Sequence, residues 1–341
     1  MYTKISFFLF LTLLLITGCK KSSNPVSTTT SNPGTANPVS IISFNDIVPF
    51  DVLNTGIISF QRIDSNNGNG VCIINARDKT TKLFIGDFGG PAISPDGSKI
   101  AFERNSHKNF WPFDIYIMDI DGNNLIDISD IDGQDFYPSW SPNSKNVLFY
   151  QEDSEYFKIL YSVNINDIVT KNILYKSKNV FPCTPFSSFD SKNIVFSDGK
   201  DILCLDSELK TVTTLFTSGK GIPFTPRWSP DNKRIAFAVE KLILDTTKNI
   251  WHSAGGIIQI YDTELKEVST IYEWDCENHI DYNGSNGLSV CWSPDGNKLL
   301  FNRTGIDVES HIYLINNDGS GLMQITNEPG VCHRSVSWSL E

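Results

Sequence analysis

Short apolar runs alternate with polar turns along most of the chain, and they recur in a fixed order. A run ends in Trp or Ile, a Ser-Pro-Asp-Gly turn or a variant follows, and a second run ends in Phe. The copies of the turn are Ile93-Ser94-Pro95-Asp96-Gly97, Trp140-Ser141-Pro142-Asn143-Ser144, Trp228-Ser229-Pro230-Asp231-Asn232 and Trp292-Ser293-Pro294-Asp295-Gly296. A degraded copy is Ser187-Ser188-Phe189-Asp190-Ser191, and a truncated one is Trp338-Ser339-Leu340-Glu341. The aligned serines, 94, 141, 188, 229, 293 and 339, are spaced by 47, 47, 41, 64 and 46 residues. A repeat of about 40–50 residues marks a propeller or solenoid, whose units bury their apolar faces only against one another.

Each unit predicts four strands. The second reads Ile100-Ala101-Phe102, Val147-Leu148-Phe149, Ile194-Val195-Phe196, Ile235-Ala236-Phe237 and Leu299-Leu300-Phe301. The third runs to an Asp or Asn, as in Ile115 to Asp119 or Ile312 to Asn316. Such a residue suits a turn, because its short side chain bonds nearby backbone. The fourth is short, as in Leu125 to Ser129 or Met323 to Thr326. No long helical period appears outside the N-terminal leader. Five units are complete and the sixth is split. Val336-Ser337-Trp338 supplies its first strand, while Ile58-Ser59-Phe60, Val71 to Asn75 and Lys82 to Gly86 supply the others. Joining the two ends closes a ring and leaves only short strand edges. The expectation is an all-β, six-bladed β-propeller of four-stranded blades over residues 41–341.

These turns and strands resemble those of the TolB-like six-bladed propellers, built from WD-like repeats, over about residues 50–341. The resemblance implies the fold and says little about function. The same blade serves a periplasmic protein of the Tol system, prolyl peptidases and many bacterial lipoproteins. The expectation is that the chain lacks the separate N-terminal domain of the Tol-system protein and leaves no room for a peptidase domain after the propeller.

The N-terminus reads as an export leader over residues 1–18. Lys4 precedes the apolar run Ile5 to Ile16, which is shorter than the ~20 residues of a spanning helix. The run ends in Leu15-Ile16-Thr17-Gly18-Cys19, which resembles a bacterial lipobox and implies lipidation of Cys19; a plain signal peptide or membrane anchor is the competing reading. Residues 19–40 are rich in Ser, Thr, Asn and Pro and read as a flexible tether. Lys20, rather than Asp, follows Cys19, which implies outer-membrane placement with the membrane reached only through the lipid. The net charge of −11 and the absence of a basic stripe argue against nucleic acid as a partner. Cys72, Cys183, Cys204, Cys276, Cys291 and Cys332 lack close spacing. They read as unpaired, with Cys276–Cys332 the best candidate for a bridge.

No nucleophile elbow, phosphate-binding glycine loop or Cys-x-x-Cys occurs. His107, His252, His279, His311 and His333 fall on predicted loops and suggest no shared metal site. Asp119-x-Asp121-Gly122 and Asp130-x-Asp132-Gly133 lack the further ligands of a calcium loop. The expectation is therefore a non-enzyme without metal or cofactor. The repeat tryptophans, Trp140, Trp228, Trp292 and Trp338, read as packing between blades. Trp111 and Trp251 lie in apparently irregular insertions, Ser106 to Asp114 and Leu244 to Gly255, either as anchors for a partner or as pins for their own loops. Arg62, Arg104 and Arg303 stand two residues beyond the second-strand Phe in three consecutive blades. They would form an arc for a carboxylate or phosphate, unless each pairs with a local Asp. The working face is expected to be the one opposite the Ser-Pro-Asp turns, where Lys241 to Gly256 and Asp275 to Leu288 read as long loops. The favoured role is a protein-interaction scaffold for an envelope protein. The alternative is a binding module for an extracellular glycan or small anion, and a metal-dependent lyase ranks third.

Overall fold

The computed structural model describes residues 53–339 except 54, 65–68, 87, 106–112, 130–132, 179–182, 220, 247–249, 282–287 and 305–308, and without the side chains of 245, 250, 251, 276–281 and 304. The first three strands are β1 (Ile57–Ile63), β2 (Gly70–Asn75) and β3 (Thr80–Ile85). Blade one is β4 (Phe88–Ile93), β5 (Lys99–Asn105), β6 (Phe113–Asp119) and β7 (Ile126–Asp127). Blade two is β8 (Gln134–Trp140), β9 (Asn146–Glu152), β10 (Lys158–Asn164) and β11 (Asp167–Ser177). Blade three is β12 (Phe186–Ser187), β13 (Asn193–Ser197), β14 (Asp201–Asp206) and β15 (Val212–Thr217). Blade four is β16 (Ile222–Trp228), β17 (Arg234–Asp245), β18 (Ile250–Asp262) and β19 (Glu267–Asp281). Blade five is β20 (Val290–Trp292), β21 (Lys298–Thr304), β22 (Ser310–Asn316) and β23 (Met323–Gln324). The last strand, β24 (Cys332–Trp338), pairs with β1 and completes blade six in the order β24-β1-β2-β3. All six sheets have four strands and antiparallel pairing, as the repeat requires.

The stability of this ring lies between blades. Phe60, Phe102, Phe149, Phe196, Phe237 and Phe301 occupy the same place on the six second strands, and all are fully buried. The apolar residues form six clusters, each shared by two adjacent blades. Two of the repeat tryptophans clasp the neighbouring blade. Trp140 Nε1 donates to the Ala92 carbonyl of blade one at 2.9 Å, and Trp292 Nε1 donates to the Arg227 carbonyl of blade four at 3.0 Å.

The Ser-Pro-Asp turn closes on itself. Ser94 Oγ donates to Asp96 at 2.6 Å and accepts from the Lys99 amide at 2.9 Å. The degraded copy keeps this network, with Ser188 donating to Asp190 at 2.6 Å. The fourth residue after the Trp position has a left-handed φ in five turns: Gly97, Ser144, Ser191, Asn232 and Gly296.

Blade four departs from the expectation. Lys241 to Gly256 was expected to be a loop, but the strands continue through it. Lys241 pairs with Gly255, Ile243 with His252 and Leu244 with Trp251. Asp275 to Asp281 likewise extends β19. The strands of 12, 13 and 15 residues form a three-stranded arm beyond the ring, where the second and third strands of the other blades have 5–7 residues.

Candidate functional site

The propeller has two faces. The Ser-Pro-Asp turns occupy one, and the loops entering each innermost strand occupy the other, together with the arm. The expected arginines lie on the second face, but they do not form a free cationic arc. Arg62 is 4% exposed. Its Nε donates to Glu328 at 2.9 Å and its Nη2 to Asp64 at 2.8 Å. Burial alone would lower its pKa, but these two carboxylates outweigh burial and raise it. Arg104 lies over the Tyr116 ring, 5.3 Å from its centroid. Arg303 donates to the Tyr272 hydroxyl at 2.7 Å and also lies over the Tyr313 ring. Trp111 lies outside the described residues. The Trp251 backbone belongs to β18, opposite Leu244, so it stands on a strand of the arm and not in an irregular insertion. Cys19 also lies outside the described residues, as does the Cys276 side chain of the candidate bridge to Cys332.

His107 lies outside the described residues, and the other four histidines stand on strands rather than loops, His279 on β19. His252, His311 and His333 stand on strands β18, β22 and β24. His333 pairs across the ladder with Arg62 and His311 with Arg303. The two imidazoles meet between blades five and six, with ring centroids 5.8 Å apart. His333 is fully buried and its Nε2 lies 3.2 Å from the Glu328 carboxylate that also receives Arg62. His311 lies 3.4 Å from Glu309. Burial, with the neighbouring His333, lowers the His311 pKa against the pull of Glu309. Burial would raise Glu328, but His333 and Arg62 bring it below the ordinary range. Among the described residues no group of three or more His, Cys, Asp or Glu is arranged to hold a metal ion.

Burial shifts two further carboxyls, on β5 and β8, upward. The Glu103 carboxylate accepts from the Tyr137 amide of blade two at 2.8 Å and runs beneath Gly89 and Gly90. A Cβ on Gly90, whose φ is +47°, would stand 2.9 Å from its Oε1. Burial pushes Glu103 up to about 7. Burial, with the charge of Asp114, also pushes Asp135 up to about 7. Unfolded, both groups titrate near 4, so the folded state binds their protons more tightly. This contribution is fully present below pH ~4 and is lost as pH rises through about 7. The turn aspartates Asp96, Asp190, Asp231 and Asp295 have the opposite shift, because hydrogen bonds outweigh burial. Their contribution is present above pH ~3.8 and is lost below it. Stability should therefore rise by about 2 kcal/mol per carboxyl, ~4 kcal/mol for the two, from pH 8 to pH 5.5 and fall again below pH ~4. Urea titrations of the wild type and Glu103→Gln/Asp135→Asn check this. The double variant should lose the upper limb and keep the acid limb.

The repeat also carried a signal for a residue that sequence reasoning missed. Pro stands two residues before the Trp position in four blades, at Pro91, Pro138, Pro185 and Pro226. It follows a bulged residue, with positive φ at Gly90, Tyr137 and Thr225. In this frame the next position holds Ala92, Ser139, Phe186, Cys291 and Ser337, but blade four places Arg227 there.

No family model matches the chain. A solved structure assigned as TolB from Agrobacterium tumefaciens superposes with a TM-score of 0.55 at 14% identity, over 83% of this chain and 99% of that one. The fold is the six-bladed TolB-type propeller. A chain of the nidogen/laminin complex matches with a TM-score of 0.59 at 10% identity, over 84% of this chain and 99% of that one. By sequence, the chain is 26% identical over 199 residues to the probable dipeptidyl-aminopeptidase B of Coccidioides posadasii, a match covering 56% of this chain and 20% of that protein. The similar protein of Uncinocarpus reesii matches at the same identity and coverage. The chain thus spans about a fifth of these relatives. The match corrects the expectation of a non-enzyme: the curated relatives carry an enzyme's name, and the absence of a motif in this chain does not outweigh that.

Proposed function

We propose that this propeller is a cell-envelope interaction module, anchored through lipid on Cys19, that engages a protein partner on its loop-rich face. The observation that carries this reading is the arm of blade four. It extends paired strands beyond the ring, holds Ile243 in the solvent at 46% exposure, and sets Lys241 between Glu273 and Asp275. Apolar side chains on a rigid, polar-rimmed projection suit partner recognition. This role is compatible with catalysis, because a binding propeller serves an enzyme as well as it serves a scaffold.

Capture from a detergent extract of the native envelope tests the reading. The full chain should retain a partner that Ile243→Asp loses, with the thermal midpoint unchanged. Arg104→Ala/Arg303→Ala should reduce the salt sensitivity of capture, as expected of rim charges. Cys19→Ser should move the protein from the membrane to the soluble fraction. Retention of the same partner by Ile243→Asp, or normal lipid labelling of Cys19→Ser, would contradict the respective part of the proposal.

A further inference from the structure

On the axis of the ring, at the end formed by the Ser-Pro-Asp turns, lies a cavity of about 50 Å³. It is lined by Ala92, Ser139, Phe186, Ser337 and Arg227 from the innermost strands of five blades, with Trp338 beside them. A buried water needs at least ~10–15 Å³ of such volume, so the space matches a few waters or one small polar group. Its wall holds an unusual charge. Arg227 is 8% exposed and has no carboxylate partner among the described residues. Its guanidinium lies over the Phe186 ring at 4.7 Å, and its Nε has no acceptor. The Ser139 hydroxyl on the same wall is also buried without a partner.

A buried unpaired charge is expensive, and a guanidinium held against an aromatic ring is pre-organised to receive a planar anion. The nearby thiols do not supply that anion, because burial pushes Cys183 up to about 11 and Cys291 up to about 12. Burial also lowers Arg227 itself to about 10, which leaves it cationic at neutral pH.

We infer that the axial cavity is a binding site for a single carboxylate, with the Arg227 guanidinium as its cationic partner and the Ser139 hydroxyl as an additional donor. The planar fork of Arg fits a carboxylate in two-point fashion, and the small cavity favours this group over a tetrahedral phosphate. The site lies on the face opposite the arm, so it stands or falls independently of the interaction proposed there. The carboxylate could belong to a free small acid or to an acidic side chain of a partner.

Thermal unfolding of the full chain tests this, with chloride replaced stepwise by acetate, by inorganic phosphate, or by a blocked glycine peptide bearing one Glu, at constant ionic strength. Acetate should raise the midpoint by about 3 °C and saturate, as expected for a ligand near ten times its Kd. A matching rise with the peptide identifies a side-chain carboxylate as an accepted source, and acetate alone identifies a small free acid. Arg227→Met should melt at or above the wild-type midpoint without acetate, because it removes an unpaired buried charge, and should not respond to acetate. Ser139→Ala should fold normally and require more acetate for the same rise. The inference is overturned if acetate and chloride are equivalent, if phosphate stabilises where acetate does not, or if Arg227→Met responds as the wild type does.

Discussion

Deleting Ser335–Glu341 is expected to abolish cooperative unfolding of the whole propeller. The deletion removes the half of β24 that pairs with β1 through Ile58–Trp338 and Ser59–Ser337. It also removes Val336, fully buried in the cluster between blades five and six, and the Trp338 side chain packed against that cluster. The Trp338 Nε1 bond to the Thr55 carbonyl and the Ser339 hydroxyl bond to the Ile57 amide disappear with them. Apolar burial at about 25 cal/mol per Å², with the lost ladder, sums to more than ~5 kcal/mol, comparable with the whole stability of an ordinary domain. Val336→Ala, which keeps the strand, should cost only ~2 kcal/mol. Calorimetry decides: a truncated chain that melts cooperatively near the wild-type midpoint would show that closure by both ends is dispensable.

Arg62→Ala is expected to be the most damaging single substitution of a surface-predicted residue, at ~3–5 kcal/mol. It leaves Asp64 and Glu328 facing each other without their shared cation, with Asp64 deeply buried. The His333 imidazole, 3.2 Å away, then remains beside Glu328. The triple change Arg62→Met/Asp64→Asn/Glu328→Gln should recover most of the loss, because an apolar or neutral replacement of the whole group removes the stranded charges. Denaturant midpoints of the single and triple variants check this. An Arg62→Ala protein as stable as the wild type would return this arginine to the list of ligand-binding candidates.

The fold was legible because its signal is local and repeated. A Trp, a self-bonded Ser-Pro-Asp turn and a strand ending in Phe are each short, and each copy repeats the same physics. Even the copy lacking Trp and Pro keeps the serine–aspartate bond that makes the turn. The arm was not legible, because Lys241 to Gly256 matches no other blade and comparison between repeats reads an unmatched stretch as a loop. Its own residues told otherwise: Leu242, Ile243 and Leu244 face Ser253, His252 and Trp251 across a regular ladder. The arginine arc was misjudged for a different reason. Spacing along a strand locates a side chain on a face, and the local pairing with an Asp holds for Arg62 through Asp64, but its second carboxylate, Glu328, comes from 266 residues away. Arg227 stands immediately before Trp228, the strongest repeat signal in that blade. Reading one column of the repeat further back exposes a charged residue among small and aromatic ones.

Closure by both ends also sets the order in which the molecule can be completed. β1, β2 and β3 are made first, yet the innermost strand of their blade is made after every other strand of the ring. Until β24 arrives, the inner edge of β1 carries unpaired amides and carbonyls, and Ile58 and Phe60 have only part of their eventual cover. The bonds that finish the ring join residues 282 and 283 positions apart. Contacts so distant in sequence form slowly, and an open strand edge invites pairing with other chains in the meantime. During synthesis the nascent chain therefore passes through a long interval as an open, sticky crescent, and its vulnerability to misassembly is concentrated before the final strand docks.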